Sequence, residues 1–153
     1  MKVLFAVDNS KFSDEALKSV GKRPWPESTE FLVLSVVEFG RNEFEGLDAT
    51  TVPDLKPVQE KILHDMQTRI EEDVKTLRGW HPSCTVTGKV VQGHAKEVIL
   101  NEADEWGADF LVVGSHGRRG FQKFFLGSVA ESIIGHAPCT VEVVKIKSAG
   151  VES

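Results

Sequence analysis

One hydrophobic pattern recurs along the chain: a short run of apolar residues, a break, then a longer stretch with apolar positions three and four apart. Lys2 to Val7 is the first run, bounded by Asp8, Asn9 and Ser10, and reads as a buried parallel strand. Ser13, with Asp14 and Glu15 behind it, supplies a cap and first-turn acids for a helix whose stripe is Ala16, Leu17 and Val20 and whose stop is Gly21. Pro24 and Pro26 interrupt the chain before a second strand, Phe31 to Val37. Phe39 to Val52 has no period, two glycines and several acids, and reads as a long loop. Proline suits the first turn of a helix, so the second helix starts at Pro53 or Pro57; Ile62, Leu63, Met66, Ile70, Val74 and Leu77 form its apolar face, and Gly79, Pro82 and Ser83 punctuate its end.

Cys84 to Val91 alternates in the manner of a strand. A third helix is predicted over Lys96 to Trp106, with Val98, Ile99, Ala103 and Trp106 inward and Gly107 as its stop. Asp109 to Val113 is the fourth strand. Gly127 and Ser128 open a fourth helix that places Val129, Ile133 and Ile134 on one face, and Cys139 to Ile146 is the fifth strand, followed by a tail expected to fray. Strand and helix alternating in this way predict one domain over residues 1–153, an open parallel five-stranded sheet with helices on both faces, Rossmann-like or flavodoxin-like. Right-handed crossovers bring the carboxyl ends of all strands to one edge, where ligands of such sheets bind at the reversal of strand order. Asp8, Val36 and Gly114 are expected there, and the fifth strand at the border of the sheet.

Composition narrows the function. A net charge of −5 and a pI near 5.5 disfavour a general nucleic-acid or membrane binder. The opening MKVLFAVDNS has an apolar run too short for a secretory signal, and no stretch approaches the ~18 apolar residues of a membrane span. Cys84 and Cys139 lie far apart without a C-x-x-C, as expected of small residues in a reducing compartment. A cytoplasmic protein is the expectation.

The candidate chemistry lies in GSHGRRGFQKFFLGS, Gly114 to Ser128, between the fourth strand and the fourth helix. Glycine at 114 and 117 permits positive φ and close approach of a ligand, and the first turn of the helix offers unpaired amides to an anion. Arg118, Arg119 and Lys123 add positive charge; Arg118, Arg119 and His116 are candidates to contact a terminal phosphate, a solvated basic run being the alternative. Amides at Gly117, Gly127 and Ser128 would dominate such a cradle, since a hydrogen bond to a charged oxygen contributes ~1.5–3 kcal/mol. No G-x-x-x-x-G-K-[ST] occurs, and no G-x-G-x-x-G follows a strand, which disfavours a P-loop NTPase and a dinucleotide fold. A phosphoacceptor receiver domain would need an Asp after the third strand and a Lys before the last proline, where Gln92 and Ala137 stand. An adenylating enzyme would need a Ser-Gly-Gly-x-Asp-Ser type loop, which VDNSKFS is not.

Gly114, two residues, Gly117, nine residues, then Gly127 and Ser128 resembles the G-x2-G-x9-G-[S/T] motif of the ATP-binding universal stress proteins, and VDNSKFSDEAL resembles the opening of that family. The resemblance spans essentially the whole chain. It departs at Gly93, His94 and Ala95, where the family usually has Gly, one residue and Pro. It implies an adenine-nucleotide site: Ala6, Val7 and Asp8 at the nucleoside end, with Asp8 on ribose hydroxyls or a Mg²⁺; the Val36 backbone at the adenine; and Val113, Gly114, Gly117, Arg118, Gly127, Ser128 and Val129 around ribose and phosphates. ATP, with Mg²⁺, is the implied ligand, bound by a stress-response or regulatory module with slow or no hydrolysis. A homodimer through the C-terminal strand, Cys139 to Ile146, is implied as well, while Thr140, Glu142, Lys145 and Lys147 would equally serve to protect that edge in a monomer. A nucleotide-free dimeric interaction protein and a weak ATPase are the alternatives. No Asp or Glu is placed by motif to orient an attacking water, so no catalytic residue is assigned.

Overall fold

The computed structural model describes residues 1–39, 55–117 and 126–146. Within them nine elements alternate: β1 (Lys2–Ala6), α1 (Lys11–Gly21), β2 (Glu30–Val37), α2 (Lys56–Trp80), β3 (Thr85–Gln92), α3 (Ala95–Trp106), β4 (Phe110–Gly114), α4 (Ser128–His136) and β5 (Thr140–Val144). The strands form one all-parallel sheet in the order β3-β2-β1-β4-β5. The chain therefore builds outward from β1 to β3, then crosses back and builds outward the other way from β4. The α/β/α class is as expected, and strand order reverses between β1 and β4.

Two cores follow from the period of two along each strand. Val3 and Phe5 of β1, Phe31 and Val33 of β2 and Val112 of β4 face α1 and α2, where they meet Leu17, Val20, Ile70, Val74 and Leu77. Leu4, Leu32, Leu34, Leu111 and Val113 face α3 and α4, where Ile99, Ala103, Ala130 and Ile133 cover them. The inner strands are apolar on both sides because both sides are covered. β3 is a border strand with α2 over one face only, so Val86 is buried while Thr85, Thr87 and Lys89 are exposed. That is the origin of the alternation in its sequence.

Several boundaries differ from the expectation. The cap of α1 is Ser10, whose hydroxyl accepts from the Ser13 amide at 3.2 Å. Ser13 instead lies buried in the first turn, its hydroxyl bonded to Ser10 O. Helix α2 begins at Lys56 with Pro57 in its first turn, and continues through Gly79 to Trp80 because Trp80 packs under Gly21; Pro82 then forbids further turns. On α4 the buried pair is Ala130 and Ile133, and Ile134 is 51% exposed. One residue is 100° of helix, so Ile134 turns away from the stripe that Val129 and Ile133 share. Gly107 ends α3 in the left-handed conformation, φ 74°, as its sequence position implies. The loop from residue 40 onward, Pro53, and Arg118, Arg119 and Lys123 lie outside the described residues. Cys84 and Cys139 are free thiols.

Candidate functional site

The carboxyl ends of β1 and β4 are neighbours, with Ala6 paired to Val113, so the segments leaving them converge at the strand reversal. Val7 continues the ladder for one more bond, its N–H donating to Leu34 O at 2.8 Å. Asp8 then turns the chain. Its Oδ1 accepts from Ser10 N at 3.0 Å, its own N–H donates to Ser13 Oγ at 3.3 Å, and Asn9 takes φ 64° between them. Short polar side chains are what make this left-handed turn and its local hydrogen bonds affordable. The outcome is a carboxylate held at the mouth of the sheet, with α1 starting immediately behind it.

From β4 the chain reaches the same place. A Cβ on Gly117 would stand 3.0 Å from Asp8 Oδ2, so the turn after β4 rests against the turn after β1. A Cβ on Gly114 would lie 2.8 Å from the backbone and Cβ of Phe12, in the first turn of α1. A Cβ on Gly127 would meet His116 Cα at 3.1 Å and Ser115 O at 3.3 Å. Packing of the protein against itself thus demands glycine at 114, where the colliding atoms are backbone, and leaves little room for a side chain at 127. Positive φ, expected at Gly114 and Gly117, occurs at neither; among the described glycines only Gly93 and Gly107 have it. Close approach is the operative property of the pair.

The two ends of the glycine loop are tied together. Gly127 N donates to Ser115 O at 2.7 Å, and Ser115 N donates to Val144 O at 2.9 Å, fastening the loop base to β5. The Gly127 amide, expected to face an anion, is therefore spent on closing the loop. Gly127 is the N-cap of α4 and its carbonyl takes the first helical bond, from Glu131 N at 2.9 Å. The amides of Ser128, Val129 and Ala130 are the ones a first turn leaves for another acceptor. Ser128 is exposed and Val129 half-buried.

Val36 lies on β2, the neighbour of β1 on the other side, near its carboxyl end and partly buried against the α3 and α4 core. Glu38, two residues on, accepts the Ala95 amide with its carboxylate and so occupies the N-terminus of α3. His94 is 82% exposed in its side chain, with Nδ1 3.9 Å from Glu38 Oε1. The structure thus gathers Ala6, Val7, Asp8, Val113, Gly114, Gly117 and Gly127 at one place, with Val36 flanking and Ser128 and Val129 at the helix mouth; Arg118 lies outside the described residues. Among the described residues no three His, Cys, Asp or Glu side chains are arranged to hold a metal ion.

Behind this edge α1 is braced by charge. Arg69 of α2 reaches Asp14 of α1 at 2.5 Å, and its Nε lies 3.6 Å from Asp73. Burial pushes the Asp73 carboxyl up to about 6, opposed by Arg69 and assisted by the negative charges of Asp14 and Glu72. Nothing in the periodicity marked Asp73 as buried; an acid between Ile70, Val74 and Leu77 on the inward face is the signal that was there. A groove lined by Gln67, Ile70, Glu71, Val74, Arg78 and Gly88 runs between α2 and β3. It lies on the border away from the strand reversal, and Arg78 Nη2 already donates to Val86 O there at 2.9 Å.

Comparison with known proteins gives the family and the fold. The family model described as the Universal stress protein family matches residues 1–145. Universal stress protein A homolog 2 of Coxiella burnetii is 35% identical over 91 residues, a match spanning 59% of this chain and 58% of that protein. Universal stress protein MJ0577 of Methanocaldococcus jannaschii is 27% identical over 157 residues, covering 96% of each chain. Its solved structure superposes with a TM-score of 0.81 over 97% of each. A universal stress protein solved in complex with cAMP (18% identity, TM-score 0.66, 96% of this chain and 98% of that one) shares the fold. So does a member of the family from Arabidopsis thaliana solved with AMP bound (21%, TM-score 0.60, 100% and 96%).

Proposed function

This chain belongs to the universal stress protein family, and on that premise we propose that it binds an adenine nucleotide, ATP in the first place, at the reversal between β1 and β4. The observation that carries the proposal is the close approach of the Asp8 carboxylate to Gly117, where an added Cβ would stand 3.0 Å from Asp8 Oδ2, beside a loop whose ends are closed by Gly127 N on Ser115 O. Such a site pairs an acceptor for sugar hydroxyls with a backbone turn open to phosphate. The glycine spacing supports ATP as the ligand, and the AMP and cAMP complexes of fold relatives support the adenine nucleotide class. In this reading Ala6, Val7 and Asp8 take the nucleoside, Val36 the adenine through its backbone, and Val113, Gly114, Gly117, Arg118, Gly127, Ser128 and Val129 the ribose and phosphates.

Asp8 also limits the ligand. A carboxylate beside the phosphate turn repels a triphosphate unless it faces ribose or a cation stands between. Mg²⁺ commonly binds one or two carboxylates together with substrate phosphates, so a single Asp8 fits a Mg²⁺ carried in by the nucleotide. Hydrolysis is slow or absent, and occupancy of the site alters shape or partners in a cytoplasmic stress response, carried by a single domain over residues 1–153. A homodimer through β5 belongs to the same reading. β5 is a border strand with half-buried Val141 and Val143, whereas the opposite border has Arg78 on the Val86 carbonyl and a row of exposed Thr85, Thr87 and Lys89. Polar and charged residues of that kind protect a sheet edge from pairing.

The test is to purify the protein without added nucleotide, denature it, and identify released small molecules by mass spectrometry. ATP or ADP near one per chain is the expected result. An empty preparation that also fails to bind added ATP with Mg²⁺ would leave the nucleotide-free interaction protein as the better reading.

A further inference from the structure

His116 sits inside the glycine turn and is held from several sides. Its ring centroid is 5.0 Å from that of Phe12, at an interplanar angle of 47°. Its Nδ1 is 3.0 Å from Ser115 Oγ. Its Cα stands where a Cβ on Gly127 would come within 3.1 Å, so the residue that opens α4 is packed directly on it. The groups holding the ring are themselves fixed. Ser115 is 2% exposed, its N–H on Val144 O and its carbonyl on Gly127 N. The Phe12 backbone is pressed against Gly114. One contact thus ties the ring to α1 and another ties it to Ser115 at the end of the sheet, while the backbone of the same residue packs against the start of α4.

We propose that His116 is a positioning residue that, clamped by Phe12 and Ser115, sets the backbone of Gly117 and the first turn of α4 for phosphate and so confers preference for the more phosphorylated adenine nucleotides. The inference rests on the nucleotide reading above. Gly117 follows His116 directly, and Gly127 packs on its Cα, so releasing the ring disturbs the two backbone segments nearest the phosphates. Of the groups assigned to the nucleoside, Ala6 and Val7 at the end of β1 and Val36 on β2 lie on segments the ring does not bridge, and Asp8, beside Gly117, is the one that shares the disturbed turn. Release of the ring should therefore cost affinity in proportion to phosphate number, where a general loss of structure would cost it evenly.

Isothermal titration of the full chain with ATP, ADP, AMP and adenosine, in the presence of Mg²⁺, separates the two. In His116→Ala, ATP affinity should fall about tenfold, ADP affinity less, and adenosine affinity by no more than about twofold; tenfold corresponds to ~1.4 kcal/mol, the scale of one hydrogen bond to a charged group. His116→Asn, whose amide can keep the bond to Ser115 Oγ but not the ring contact with Phe12, should recover part of the loss. Equal losses for all four ligands, or unchanged ATP affinity in a folded His116→Ala protein, overturn the proposal. Should that variant fail to fold, Phe12→Leu removes the aromatic contact while keeping an apolar side chain, and the same graded loss is expected, a uniform loss overturning it. Wild-type protein that binds none of the four overturns the nucleotide reading itself, a separate result.

Discussion

Asp8 and the glycines around it divide into residues whose surroundings the fold fixes and residues that only the proposed ligand would engage. A side chain at Gly114 collides with the backbone of Phe12, which cannot yield without moving α1. Gly114→Ala should therefore lower stability by about 1–3 kcal/mol, as overpacking does, measurable by urea unfolding. At Gly117 the nearest atom is Asp8 Oδ2, the end of a side chain. Gly117→Val should leave the thermal midpoint near that of wild type and abolish ATP binding by calorimetry; a variant that still binds would remove the cradle. Asp73 yields a prediction in pH. Its carboxyl is raised from 3.8 to about 6 in the folded chain, so between those values the folded state holds more protons than the unfolded one. Stability from this group is fully present below pH ~4 and is lost as pH rises through about 6. Asp73→Asn should thus stabilise the protein at pH 7 by about 2 kcal/mol and by little at pH 4, compared by urea unfolding at both. Asp8 and the glycine spacing were readable because turn chemistry is local. Asp73 was not, because its burial depends on α1 lying opposite.

Helices and strands were legible in kind and order, and misread mostly at their ends. Ser10 and Ser13 are both plausible caps in a sequence; the turn at Asp8 and Asn9 places Ser10 at the start. Ile134 was read as inward because apolar character alone does not say how wide a face its neighbours cover. The contact between α2 and β3 shows a constraint no periodicity reveals. A Cβ on Gly88 would stand 2.4 Å from Ile70 Cγ2 and 2.8 Å from Val74 Cγ2, so α2 packs on β3 at a distance only glycine permits. Gly88→Ala should cost about 1–3 kcal/mol of stability, and less in an Ile70→Ala background, where the nearer of the two colliding methyls is gone and only Val74 Cγ2 remains. Additive losses in that double-mutant cycle would show that the two positions do not meet.

The assembled sheet has two borders, and they are unlike. If β5 pairs with a second copy as proposed, sedimentation should give two chains per particle, and Ile134→Lys, on the exposed side of the helix preceding β5, should shift it toward one without lowering the thermal midpoint of the monomer. Dimers that persist unchanged would place the interface elsewhere. None of the described helices is long and apolar enough to cross a membrane. Local sequence sufficed for the alternation of strand and helix, for the parallel α/β class and for the glycine motif, because each depends on spacing within a few turns of chain. The order β3-β2-β1-β4-β5 and the contact of Asp8 with Gly117, about a hundred residues on, depended on which strands pair across long loops. So did the diversion of the Gly127 amide to Ser115 and the burial of Asp73. These arise only when α1 and α2 close over one face of the sheet and α3 and α4 over the other, bringing remote groups within hydrogen-bonding and van der Waals reach.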